Sequence, residues 1–388
     1  MTTPDQLAGL VEGVVPKAVE LRRLLHRHPE PAYEEHQTTA LIAASLDENG
    51  LSYQERKPRT GLWLDIGGPA EVAFRADLDA LPINEPEDRS PRSQNPGWMH
   101  ACGHDAHAAI AFGVALALRQ IDPVKGVRFL FQPAEESFPG GAVEFVNEGL
   151  VDGFKAILAF HVDPALETGK VGARTGPVTA SADKFTIVVS GPGGHTARPH
   201  QTVDLVADAA RVVHELPAYL RRTVDARSPL TLVFGSIHGG NAGNVIPTRV
   251  KLRGTVRTLD RDLWEVLPGL VDKALGTLLA MSGAEYELDY QAAIPPVVND
   301  ESIIEATTTD IAKVLGQDAI VRTEPSMGGE DFANYLSTVP GALLRLGTSG
   351  DPGQVGDLHS PSFKLDEATI GVGIRAGVAA VLGLLDRL

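Results

Sequence analysis

The sequence predicts an α/β fold on a largely parallel sheet, interrupted by a smaller α+β insert with an antiparallel sheet. Three observations carry that expectation. Short apolar runs in "EVAFRADLDALP", "GVRFLFQPAEES" and "KAILAFHVDP" read as buried strands that stop at polar residues: Asp77 and Asp79, Glu135 and Glu136, and His161. Helical stretches such as Ala106 to Arg119 lie between them. Such alternation makes a parallel sheet whose ligands gather beyond the strand carboxyl ends. From Asp183 the texture changes to β-branched and aromatic strands. "KFTIVVSG", the turn "GPGGH", a helix around Val203 to Leu216, "LTLVFGSIHGG", "RVKLRGTVRT", a helix from Asp262 to Ser282 and "AEYELDY" follow one another. Gly193 and Gly194 let the backbone turn sharply there. After "IPPVVND" the α/β texture returns, so residues 1–182 and 294–388 are expected to form one domain around an insert at 183–293.

The N-terminal segment reads as an amphipathic helix, with Leu7, Leu10, Val11, Val14 and Val15 at helical spacing. It lacks the basic start, apolar core and cleavage site of a secretory signal. No run of about 18 apolar residues suggests a membrane span, and a membrane partner is not expected. With 43% hydrophobic and 22% charged residues in a chain of 388, the composition fits a large buried core and not a long disordered region. A net charge of −16 argues against a nucleic-acid-binding face, which needs clustered Lys and Arg. A single cysteine excludes an internal disulfide and fits a cytoplasmic location.

That cysteine, Cys102, sits in "MHACGHDAHAA" among His100, His104 and His107. It reads as a buried inert thiol, a catalytic nucleophile or a metal ligand. Glu135 and Glu136 follow a buried strand at a strand-to-helix turn, where neighbouring side chains diverge, so one carboxylate can bind metal while the other stays a base. His161 ends another strand, and His359 lies in the polar loop "GDLHSPSF". Each alone also fits an ordinary surface acid or turn histidine. Together they offer a thiolate, three imidazoles and two carboxylates, a set suited to two zinc, manganese, cobalt or nickel ions. A cysteine hydrolase built on Cys102 would leave Glu135, Glu136, His161 and His359 without a purpose. A non-catalytic metal-binding protein would need only one of the two glutamates.

Nine ordered segments, "LHRHPEPAYEEHQTT", "FRADLDALPI", "MHACGHDAH", "FQPAEESFPGGA", "FHVDP", "SGPGGHTARPHQTVD", "NVIPTRVKLRGTVRT", "MGGEDFANY" and "LHSPSFKLDE", span nearly the whole chain. Together they resemble the dinuclear metallopeptidase/aminoacylase family, in its branch of hippurate hydrolases, carboxypeptidases and auxin–amino-acid conjugate hydrolases. The resemblance implies a zinc-peptidase-like catalytic domain with a lid. It implies Cys102, His104, Glu136, His161 and His359 as ligands of two divalent ions, with Cys102 bridging, and Glu135 as general base. His195 would stabilise the oxyanion, while Asn244 and Arg257 would hold the substrate carbonyl and carboxylate. Asp77 and Asp79 would support ligands without binding metal. The implied reaction is hydrolysis of an N-acetyl, N-benzoyl or indole-acetyl amino acid, with a dipeptidase or carboxypeptidase as the alternative. The implied partners are that small-molecule or short-peptide substrate and, in a homo-oligomer paired through lids, a second copy.

Overall fold

Leu7, Val11, Val14, Ala18, Leu21 and Leu25 recur at three- and four-residue intervals, and all are buried. Fully burying one large aliphatic side chain is worth about 1.5–3 kcal/mol, so this stripe holds the first helix to the core. The computed structural model describes residues 4–123, 125–350 and 356–387. In chain order, helices α1 (Pro4–Arg27) and α2 (His36–Glu48) precede strands β1 (Gln54–Glu55), β2 (Leu62–Ile66) and β3 (Ala70–Asp77). Then come α3 (His104–Ile121), β4 (Gly126–Gln132), α4 (Gly141–Asn147), β5 (Ala156–Glu167), β6 (Val171–Ala173) and β7 (Gly176–Thr179). The middle of the chain holds β8 (Ala182–Ser190), β9 (Gly194–His195), α5 (Leu205–Thr223), β10 (Leu230–Gly239) and β11 (Val245–Ile246). It continues through β12 (Arg249–Thr258), α6 (Arg261–Leu279), β13 (Glu285–Ile294) and β14 (Val297–Asn299). Helix α7 (Glu301–Leu315), β15 (Ile320–Arg322), β16 (Gly341–Ser349) and α8 (Ala368–Arg387) follow.

These elements form two compact units. The first comprises Met1–Gly176, Asn299–Glu324 and Asn334–Leu388. Its sheet runs β1-β2-β4-β3-β5-β16-β6-β15, with β4, β3, β5 and β16 mutually parallel and β2 antiparallel to β4. Helices α1, α3, α7 and α8 share one apolar core with this sheet. Helix α3 is buried from His104 through Leu118, and Gly113 lets it meet α8, because an added Cβ would stand 2.3 Å from Ile374 Cδ1. Helix α8 is long and apolar enough to cross a membrane, but it is largely buried within this unit.

The second unit comprises Pro177–Val298 and Pro325–Ala333. Its antiparallel sheet, β10-β12-β8-β13, packs Phe185, Ile187, Val189, Leu252 and Val256 against α5 and α6. Both helices start at an aspartate that accepts a backbone N–H in the first turn, Asp204 from Ala207 and Asp260 from Leu263. Residues 325–333 join the unit through Ser326, whose N–H donates to Val178 O and whose carbonyl accepts from Ala180 N.

Candidate active site

All five candidate ligands lie in the first unit, around the carboxyl ends of β3 and β4. His104 opens α3 directly after Gly103, which adopts a left-handed φ of 81°. That turn brings Cys102 and His104 together. Cys102, His104 and His161 present ligand atoms within 4.8 Å of one another, as do Cys102, Glu136 and His359, and also His104, Glu135 and Glu136. His161 corrects the sequence reading slightly: β5 does not end there but continues to Glu167. What stops is the pairing with β3, whose last partner is Ala159, so His161 is the second residue past that ladder.

Glu135 and Glu136 follow β4 after Pro133 and Ala134, and Ala134 has a φ of 58°. Their backbone N–H groups donate to the two carboxylate oxygens of Asp79, each at 2.9 Å. The side chains diverge as expected. Glu135 Oε2 lies 3.9 Å from His104 Nε2, and Glu136 Oε1 lies 3.0 Å from His359 Nε2. His359, at a φ of 60°, is fixed by its N–H bond to Ala101 O, and its side chain is half exposed.

Asp77, Asp79 and His107 orient this cluster. His104 Nδ1 donates to Asp79 O at 2.8 Å, which leaves Nε2 facing the cluster. Asp77 is wholly buried between Arg75, 2.7 Å away, and His107 Nδ1, 2.6 Å away. His107 Nε2 accepts the Val162 N–H, steadying the chain beside His161. His107, which the sequence left unassigned, is therefore tied into the site. His100 is buried with neither ring nitrogen hydrogen-bonded.

The electrostatics favour cations over a thiol nucleophile. Burial pushes the Cys102 thiol up to about 12, opposed by His104. A nucleophilic cysteine needs the opposite shift. Burial and then Arg345 hold His161 well below the usual histidine range. Burial also disfavours the charged form of His104, but Asp77 and Cys102 carry it well above its ordinary value. The residues present fit a pair of divalent ions: sulfur, nitrogen and oxygen donors converge, and His104 Nε2 is buried without a hydrogen-bond partner.

His195, Asn244 and Arg257 lie in the second unit. The structure brings the first two together, since β9 pairs with β11 so that His195 faces Val245, and Thr196 N donates to Asn244 O. Gly193 before them has a φ of 68°, as the glycine turn predicts. Both side chains are exposed. Arg257 lies on β12, and its guanidinium donates to Met327 O at 2.7 Å.

Metal-ligand donors with a neighbouring carboxylate, gathered beyond parallel strands, are a set suited to metal-assisted hydrolysis. The family described as peptidase family M20/M25/M40 matches residues 73–382, and the chain belongs to it. It is 44% identical over 365 residues to a Rhodococcus jostii protein named for glutamate–cysteine ligase activity, covering 94% of this chain but 46% of that protein. The chain thus spans about half the length of that relative. It is 37% identical to an N-acetyl-L-cysteine deacetylase of Bacillus subtilis, over 91% of this chain and 84% of that one. Among solved structures it is similar to a Bacillus subtilis dinuclear metal-binding peptidase of the M20 family, with a TM-score of 0.83 and 32% identity over 96% of this chain and 99% of that one.

Proposed function

We propose that this chain hydrolyses the amide bond of N-acyl amino acids at a site where Cys102, His104, Glu136, His161 and His359 would hold two divalent ions, Cys102 belonging to two of the donor groups. The observation that carries the reading is the convergence of sulfur, nitrogen and oxygen donors on His104 Nε2, which is buried without a hydrogen-bond partner, beside the mostly buried carboxylate of Glu135. Two bound divalent ions would polarise the attacking water and the amide carbonyl. Glu135 then does the proton work. Its carboxylate takes a proton from the water as the oxygen adds to the acyl carbon, and hands it to the nitrogen as the C–N bond breaks. The products are a carboxylic acid and a free amine.

His195 donates to the developing oxyanion, Asn244 holds the carbonyl, and Arg257 pairs with the substrate carboxylate through its two-pronged guanidinium. Similarity to the N-acetyl-L-cysteine deacetylase makes N-acetylcysteine the first compound to test. Similarity to the dinuclear peptidase supports dipeptides as the second class. We place the chain in the cytoplasm, where an unpaired thiol stays reduced, and its lid-paired homo-oligomer belongs to the same proposal.

The test is a turnover screen of N-acetyl, N-benzoyl and indole-acetyl amino acids and dipeptides, with zinc, manganese, cobalt and nickel added separately. It is run on the wild type, Glu135→Gln and Glu136→Gln. Glu135→Gln should bind ions and substrate yet lose turnover, while Glu136→Gln should lose an ion. Normal turnover of fully loaded Glu135→Gln refutes the mechanism.

A further inference from the structure

Glu35 lies within the quoted segment "LHRHPEPAYEEHQTT" but was given no role there, yet it is completely buried, in the loop that enters α2. A carboxylate with no solvent contact is expensive unless donors surround it. Three do. Tyr33 N and Ala134 N donate to Oε1 at 2.9 and 2.8 Å, and the Thr60 hydroxyl donates to Oε2 at 2.7 Å. The donors come from three separate segments: the loop before α2, the turn before β2, and the turn after β4 that presents the glutamate pair.

The last of these gives Glu35 its importance. Ala134 holds a left-handed backbone that an L-residue with a Cβ resists, so this turn must be held in place from outside. It is held at three consecutive N–H groups by two buried carboxylates, Glu35 on Ala134 and Asp79 on Glu135 and Glu136. The Glu35 backbone is itself fixed, since its carbonyl accepts from both Thr39 N and the Thr39 hydroxyl, and that hydroxyl accepts from Gly61 N.

We propose that Glu35 is a positioning residue for the hydrolysis, clamping the Ala134 N–H so that the Glu135 and Glu136 carboxylates diverge into their separate tasks. The proposal rests on the roles assigned above to that pair. The clamp works by reach and by an accepting oxygen. Burial pushes the Glu35 carboxyl up to about 7, with Thr60 opposing and the neighbouring Asp79 charge, the charged side chain acting on it, adding to the rise. A neutral side chain of the same length is thus close to a state Glu35 itself adopts near pH 7.

The experiment compares Glu35→Ala, Glu35→Gln and Glu35→Asp at saturating divalent ion, reading kcat, KM and amide hydrogen exchange of residues 134–136. Glu35→Ala should lower kcat about tenfold or more with KM within about twofold, because misplacing a catalytic group affects the chemical step more than binding. Exchange at 134–136 should quicken about tenfold or more as the clamp opens. Glu35→Gln keeps both length and oxygen and should recover kcat to within about threefold, whereas Glu35→Asp keeps the charge, falls one methylene short, and should not. A purely structural residue would lower thermal stability and leave both kcat and the local exchange pattern alone. Unchanged exchange at 134–136 in Glu35→Ala, or an Asp variant more active than the Gln variant, overturns the proposal. If Glu35→Ala does not fold, the Gln–Asp comparison decides. Glu135→Gln is measured beside them. Normal turnover there refutes the reading of the site, while a dead Glu135→Gln with a fully active Glu35→Ala refutes the positioning role alone.

Discussion

Gly103 separates the two ligands of the Cys102–His104 pair, and replacing it with alanine tests how tightly the site is built. Two costs arise. At a φ of 81° a side chain is strained, by about 1–2 kcal/mol for the left-handed region. An added Cβ would also stand 2.5 Å from Val162 Cγ2, and Val162 is fully buried, so overpacking adds about 1–3 kcal/mol. Gly103→Ala should therefore destabilise the first unit by about 2–5 kcal/mol. Val162→Ala alone should cost about 2 kcal/mol from lost burial and a small cavity. The double variant removes the clash but not the strain, so it should cost about 3–4 kcal/mol, less than the sum by about 1–3 kcal/mol. Urea unfolding of the four metal-free proteins measures this cycle, and elemental analysis reads the ions bound. Strict additivity to within about 0.5 kcal/mol would show that Val162 does not confine the loop, and the argument from close packing would fail.

Cys102→Ala should sharply lower ion occupancy by elemental analysis; unchanged metal content removes Cys102 from the site. Since burial keeps the free thiol protonated, ion uptake by the wild type should release a proton that Cys102→Ala does not, visible as acidification of a weakly buffered solution. His195→Ala should cut turnover about a hundredfold with ion content intact; loss of an ion there would make His195 a ligand instead. The Glu35 carboxyl, raised to about 7 from an ordinary 4.5, keeps a proton in the folded state that the unfolded chain gives up. Wild-type stability should accordingly fall as pH rises from 4.5 to 7, and that slope should flatten in Glu35→Gln in urea melts at stepped pH.

The chemistry was more legible in the sequence than its scaffolding. Cys102, His104, Glu135 and Glu136 announce themselves because unusual residue types sit where apolar strands and helices begin or stop, a local pattern. His107 gave no such signal, because its work depends on Asp77 and Val162, distant in sequence and adjacent only once α3 lies against β3 and β5. The role of Glu35, although the residue stands in a quoted segment, was hidden for the same reason: an acid before a polar helix start looks like surface, and burial appears only when three separate segments close over it. Helix α8 is a case of another kind. Its apolar run is interrupted by a single charge, Arg375, and periodicity alone does not tell a core helix from a membrane-spanning one.

The first unit is assembled from segments that flank the second in the chain, and that has a consequence for synthesis. His161 leaves the ribosome 198 residues before His359. At about 5–20 residues per second, roughly 10–40 seconds pass between the fourth candidate ligand and the fifth. Throughout that interval α1 and α3 lack the cover of α8, and for most of it β5 lacks its neighbour β16. The second unit, by contrast, has all its sheet strands and both covering helices once Ile294 is made. A nascent chain of this protein therefore carries a small body whose sheet and helices are complete and an open apolar one, and it is the open one that chaperones would have to shelter until β16 and α8 arrive.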